Sequence, residues 1–209
     1  HAGAENECRV IVENIHSEAL EKGDVAEKLS HLDGVLVAPG FGERGIEGKI
    51  KAIKYVRENG IPFFGICLGM QCAVIEFARN VLGLKDAHSK EFDTETTNPV
   101  IGLMEGQEEI TEKGGTMRLG SYDCRVYKRS KPFSIYQSTL IKERHRHRYE
   151  FNNDYLKDFE ANHMMAAGVN PQENLMEIVE YKKHPWFIGV QFHPELRSTV
   201  ANPHPLFIS

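Results

Sequence analysis

Short apolar runs separated by amphipathic stretches open the chain. They are Arg9-Val10-Ile11-Val12, Gly34-Val35-Leu36-Val37-Ala38 and Ile61-Pro62-Phe63-Phe64-Gly65-Ile66-Cys67. Continuous runs of this length predict strands buried on both faces of a parallel sheet. Between the second and third, Ile46, Ile50, Ile53 and Val56 recur at helical spacing. They predict a helix from Glu47 to Asn59, stopped by Asn59-Gly60. Met70, Ala73, Val74, Phe77, Ala78 and Val81 repeat the pattern and predict a second helix from Gly69 to Leu82. Ala2 to Glu7 reads as the end of a helix, so the chain reads as a fragment of a larger one.

The second half changes character. His88 to Asn98 is polar and loop-like, and Glu105 to Gly114 is acidic and expected to be exposed. Val100 to Met104, Arg146 to Phe151, Leu175 to Tyr181 and Trp186 to Phe192 predict strands. Gly115 to Tyr127 holds shorter β-prone pieces, and Asp154 to Glu160 predicts a short helix. No repeat, low-complexity stretch or linker divides the chain. The pattern predicts an α/β class in one domain spanning 1–209.

Composition narrows the function classes. Hydrophobic residues at 41% and charged residues at 26% exclude a mainly disordered or collagen-like chain. No apolar run approaches the roughly 20 residues of a membrane span. A net charge of −5 argues against non-specific nucleic-acid binding. The local exception is Arg144-His145-Arg146-His147-Arg148, which by composition alone resembles a phosphate-binding or nuclear-localisation patch. In a strand, alternate residues face opposite ways, so the run predicts one solvated face and one face toward a site. Cys8, Cys67, Cys72 and Cys124 form no disulfide ladder, and no CxxC or HExxH zinc signature is present. A reduced, cytoplasmic location and no metal are expected.

Gly65-Ile66-Cys67-Leu68-Gly69 falls where a predicted strand meets a predicted helix. A Gly-x-nucleophile-x-Gly turn needs its glycines because the backbone turns sharply and packs closely. It presents the sulfur at the carboxyl end of the sheet, where α/β folds bind ligands. The N-terminus of the following helix favours thiolate over thiol, and the Leu68 N–H is placed to hold an oxyanion. A small buried cysteine at a tight turn shows the same five residues, so the pattern alone leaves both readings open. His193-Pro194-Glu195 follows the last strong strand, 126 residues after Cys67. In an extended segment Glu195 shares a face with His193 and reaches one ring nitrogen, leaving the other for a thiol. A surface histidine beside a surface glutamate is the alternative. The conjunction with the elbow cysteine favours a Cys-His-Glu triad.

Gly65 to Gln71 together with His193-Pro194-Glu195 resembles the class I glutamine amidotransferases. Phe41 to Ile50, Gly114 to Gly120 and Glu143 to Glu150 narrow the resemblance to the glutaminase domain of CTP synthases; His184-Pro185 and Pro203 to Phe207 fit too. The likeness runs nearly the whole chain. It implies a flavodoxin-like fold, with a mostly parallel central sheet between helices and a small antiparallel sheet. By resemblance Cys67 is the nucleophile, His193 the acid/base and Glu195 its orienter, with an oxyanion hole at Gly40 and Leu68. Glutamine binding falls to Gly40, Leu68, Gly69, Met70, Gln71, Glu91 and Arg148. Phe41 and Arg118 are assigned to GTP activation, with Gly115 to Leu119 as a lid. The implied activity is hydrolysis of L-glutamine through a cysteinyl thioester, supplying ammonia for ATP-dependent amination of UTP to CTP. The implied parent carries an N-terminal synthetase domain using ATP and Mg²⁺, reached by an ammonia channel, and forms a tetramer. This chain would then lack that domain and its own first strand. Two positions depart from the family: Ala38-Pro39-Gly40-Phe41-Gly42 replaces Pro-Gly-Gly-Phe-Gly, and Lys90 replaces a threonine. A glutaminase for GMP or anthranilate synthesis shares the triad but leaves the Gly114–Gly120 and Arg144–Glu150 segments unexplained. A non-catalytic relative would be expected to lose a triad residue, and all are present.

Overall fold

The chain, seen in a computed structural model that describes residues 1–103 and 117–209, begins with α1 (Ala2–Glu5), α2 (Glu18–Lys22) and α3 (Val25–Leu29). The predicted strand-helix alternation follows as β1 (Val35–Val37), α4 (Ile46–Asn59), β2 (Phe63–Ile66) and α5 (Leu68–Asn80). Then come β3 (His88–Ser89), β4 (Pro99–Leu103), β5 (Arg118–Val126), α6 (Lys131–Tyr136), β6 (Leu140–His147) and β7 (Tyr149–Phe151). The chain closes with α7 (Leu156–Ala161), β8 (Met164–Val169), β9 (Met176–Tyr181), β10 (Phe187–Val190) and α8 (Pro205–Ile208).

The larger sheet runs β1-β2-β10-β9-β8-β5-β6 and the smaller β3-β4-β7. The α/β class stands. Within the larger sheet the expected parallel pairing is confined to β1-β2-β10, and every later pair is antiparallel. The smaller sheet pairs β3 with β4 parallel and β4 with β7 antiparallel.

Strand β2 lies between β1 and β10, and its alternation feeds two cores. Phe63 packs against Phe187, ring centroids 4.4 Å apart, on the face that α4 and α5 cover. Phe64 and Ile66 point the other way, onto Ile188, Val190 and Leu206. Burying such a side chain contributes about 1.5–3 kcal/mol, so a continuous apolar run is what a strand covered on both sides requires. Helix α4 buries Ile46, Ile50, Ile53 and Val56, the stripe its sequence predicts, and ends at Gly60 in the left-handed region.

Arg9–Val12 is not a strand. Val10, Ile11 and Val12 are 62%, 81% and 74% exposed, and the run pairs with no described strand. Strand propensity reports fit to a half-buried surface, which this segment lacks here. Strand β8 has no strand-like composition, Met-Met-Ala-Ala-Gly-Val, because it packs closely: a Cβ at Gly168 would lie 2.8 Å from the sulfur of Cys124. The acidic 105–114 stretch and Gly115 and Thr116 of the expected lid lie outside the described residues.

Candidate active site

Cys67 links β2 to α5 with φ 53° and ψ −105°, a conformation few non-glycine residues adopt. Its two flanking glycines make this possible. A Cβ on Gly65 would lie 2.7 Å from the Gly69 carbonyl carbon, and one on Gly69 would lie 2.2 Å from the Val37 carbonyl oxygen. The first turn of α5 is therefore pressed onto the ends of β1 and β2, and the sulfur is carried to their carboxyl end.

The sulfur is buried. The thiol points at the carbonyl of Arg146, 4.0 Å away, and Gln191 Nε2 donates to it at 3.7 Å. Burial pushes the thiol pKa up to about 12; the Leu68 N–H acts the other way, and the carboxylates of Glu195, Glu150 and Glu91 add to the rise. This corrects the thiolate expected from the helix N-terminus. Desolvation of a buried sulfur among carboxylates outweighs one backbone donor. Burial therefore favours the thiol, whose proton must go to a base during attack.

His193 caps a 3-10 turn over Pro194–Arg197 rather than lying in the expected extended segment. The turn still brings the pair together: His193 Nδ1 and Glu195 Oε1 are 2.6 Å apart. The His193 N–H bonds the Arg144 carbonyl at 2.8 Å, fixing the turn to β6. His193 Nε2 is buried and has no partner among the described residues. An imidazole with one nitrogen spent on a carboxylate and the other unpartnered has a site at which a proton can be taken up and given back.

Gly40, Leu68, Gln71, Glu91 and Arg148 line a cleft of about 320 Å³ together with Cys67. Burial raises the Glu91 carboxyl pKa and Arg148 opposes it, so the two are electrostatic neighbours. Arg148 Nε is buried without a partner among the described residues. Its inward position does not come from the strand alternation. Arg144 and Arg146 are exposed while His145 and His147 are buried, so the histidine face of β6 is the inner one. A bend at Arg148, between β6 and β7, breaks the period and turns that one arginine into the cleft. Lys90 donates to the carbonyls of Thr94 and Thr96, closing its own loop.

Three expected site residues lie elsewhere. Gly69 is spent on the contact with Val37, and Met70 is fully buried against Gly189. Arg118 is buried, donating to Glu177 at 2.6 Å and stacking on Tyr122 at 4.2 Å. Phe41 sits at the rim, 56% exposed, with the Arg146 guanidinium 5.5 Å from its ring centre. Sequence reasoning missed Gln191, two positions before His193, and the buried Arg118–Glu177 pair. A signal existed for the second: Glu177 interrupts the apolar run of β9 and is fully buried.

Among the described residues no group of three or more His, Cys, Asp or Glu is arranged to hold a metal ion, and no helix is long and apolar enough to cross a membrane.

The family profile described as Glutamine amidotransferase class-I matches residues 1–209. The chain is 64% identical to a CTP synthase of Cytophaga hutchinsonii and 63% identical to one of Christiangramia forsetii, in each case over 100% of this chain. It spans only 39% and 38% of those two relatives. Among solved structures, the Trypanosoma brucei CTPS glutaminase domain with bound acivicin matches with TM-score 0.93 and 37% identity, over 99% of this chain and 81% of that one. A glutamine amidotransferase from Thermotoga maritima matches at 16% identity and TM-score 0.57, over 92% of this chain and 67% of that one, a likeness of fold.

Proposed function

The chain belongs to the class-I glutamine amidotransferases, and from that premise we propose that it is the glutaminase domain of a CTP synthase. The observation that carries the reading is one cleft lined by the elbow sulfur, a carboxylate and a guanidinium. That is the partner set for a carboxamide to be attacked, an α-amino group and an α-carboxylate. Arg148 suits the carboxylate because its fork binds two oxygens, and Glu91 suits the ammonium.

In this mechanism the sulfur attacks the side-chain carbonyl carbon of glutamine while His193 Nε2 takes the thiol proton. The carbonyl electrons move to oxygen, which the N–H groups of Leu68 and Gly40 hold, each such donor being worth roughly 3 kcal/mol in the transition state. Glu195 on Nδ1 stabilises the imidazolium. The imidazolium then protonates the departing nitrogen, ammonia leaves, and a γ-glutamyl thioester remains. Water, deprotonated by His193, adds to the thioester and releases glutamate and the thiol. A pKa of about 12 makes concerted proton removal necessary, since free thiolate is scarce at neutral pH.

In the parent, ammonia passes by a channel to an N-terminal synthetase domain that aminates UTP to CTP with ATP and Mg²⁺. GTP activates, the parent assembles as a homotetramer, and it works in the cytoplasm. Phe41 at the cleft rim suits an activator contact. Arg118 fits that role poorly, because its side chain is buried, with Nη1 donating to Glu177 and the guanidinium stacked on Tyr122.

The test is incubation with a diazo-ketone analogue of glutamine, then intact mass and peptide mapping. One adduct on Cys67, blocked by excess glutamine, is expected. No adduct on this chain or on the full-length parent would overturn the reading.

A further inference from the structure

Gln191 is fully buried, and the triad, the oxyanion hole and the glutamine contacts make no use of it. Its side chain joins a short relay. Gln71 Nε2 donates to the Tyr149 carbonyl at 3.0 Å and to Gln191 Oε1 at 3.3 Å. Gln191 Nε2, oriented by that contact, donates to the Cys67 sulfur at 3.7 Å. Its backbone N–H bonds the Glu177 carbonyl at 2.9 Å, so the residue is fixed from both ends. An amide could equally present its oxygen to a thiol. The Gln71 donor excludes that, because it already occupies Oε1.

We infer that Gln191 is a catalytic residue of this site, whose amide N–H holds the Cys67 sulfur as the thiol proton leaves, with Gln71 positioning Gln191. The physical need is plain. The sulfur is buried, and the carboxylates of Glu195, Glu150 and Glu91 disfavour negative charge there, against Arg148 and His147 in the same cleft and His193 once it takes the proton. The thiol proton goes to His193 Nε2. The charge developing on sulfur is met by the Gln191 amide until the S–C bond forms, while the Leu68 N–H turns to the substrate oxygen. Hydrogen bonds to a charged acceptor are stronger than to a neutral one, so the contact tightens as charge develops. The signal is legible afterwards: Gln191 and His193 are two positions apart, the same spacing that joins His193 to Glu195.

The inference rests on Cys67 being the nucleophile, and its test reads the sulfur without glutamine. The rate of Cys67 alkylation by iodoacetamide at fixed neutral pH is followed by mapped mass, in this chain and in Gln191→Met and Gln191→Glu. The rate should fall about tenfold in Gln191→Met and further in Gln191→Glu, with circular dichroism unchanged. A folded Gln191→Met with the native alkylation rate overturns the inference, even if glutamine turnover fails for another reason. Should both variants misfold, the side-chain amide protons of Gln191 in the ¹⁵N-labelled native chain serve instead. Alkylation of Cys67 should shift them, and an unchanged resonance overturns the inference.

Discussion

Two imidazole–carboxylate pairs flank β6 and differ in what they leave unspent. His193 Nδ1 meets Glu195 at 2.6 Å, and His204 Nε2 meets Glu143 at 2.9 Å. Both rings are buried. The second pair is closed. Tyr136 donates to the same Glu143 oxygen at 2.9 Å, and His204 Nδ1 accepts from the Leu206 N–H at 3.3 Å, starting α8. The first pair is open: Nε2 has no partner among the described residues, and the Glu195 side chain is 38% exposed against 3% for Glu143. A histidine beside a carboxylate is therefore an ordinary structural unit, and a ring nitrogen left without a partner separates a base from a pin.

The contrast can be broken most sharply at the sulfur. Cys67→Ala should abolish glutamine hydrolysis, a loss of roughly 10⁴-fold or more, because no other described side chain lining the cleft is a nucleophile of that kind. The thermal midpoint should fall by no more than about 4 °C. Ammonia-release assays and melting curves check both, and retained turnover would remove Cys67 from the mechanism. His193→Gln should follow, with kcat lowered by roughly 10²–10⁴-fold and stability little changed. The closed pair predicts the reverse pattern. His204→Leu leaves Glu143 and Tyr136 short of a partner and should cost about 3 kcal/mol in urea denaturation, with kcat of the folded enzyme within about threefold of native. A large kcat loss there would show the two pairs to be coupled through β6. The smallest effect is expected at Glu195→Gln. It keeps a hydrogen bond to Nδ1 but loses the charge that stabilises the imidazolium, so kcat should drop roughly 10- to 100-fold without a change in melting.

Much of the candidate site was legible residue by residue. The elbow was, since strand, turn and helix each carry a local signature at Phe63–Ile66, Gly65–Gly69 and the stripe after Met70. The His193–Glu195 contact was expected for an extended segment and arises instead because His193, in a non-helical conformation, caps a 3-10 turn that holds Glu195 at its second position. Arg9–Val12 misled because its composition is strand-like and a strand needs a partner. Met70 and Gly69 show another point: a residue beside a nucleophile can pack against the core, and here both do.

By itself the sequence determined the α/β order, the strained turn at Cys67 and the identity of the chemical groups. Those depend on backbone propensity, glycine placement and spacing of a few residues, all short-range. Tertiary structure alone decided which face of β6 is inner, that Arg148 enters the cleft and Arg118 does not, and that Gln191 meets the sulfur. It also decided that burial pushes the Cys67 thiol pKa up. Desolvation and hydrogen-bond partnership are set by what distant strands bring to one place, and Cys67, Gln71, Tyr149 and Gln191 come together only through the sheet.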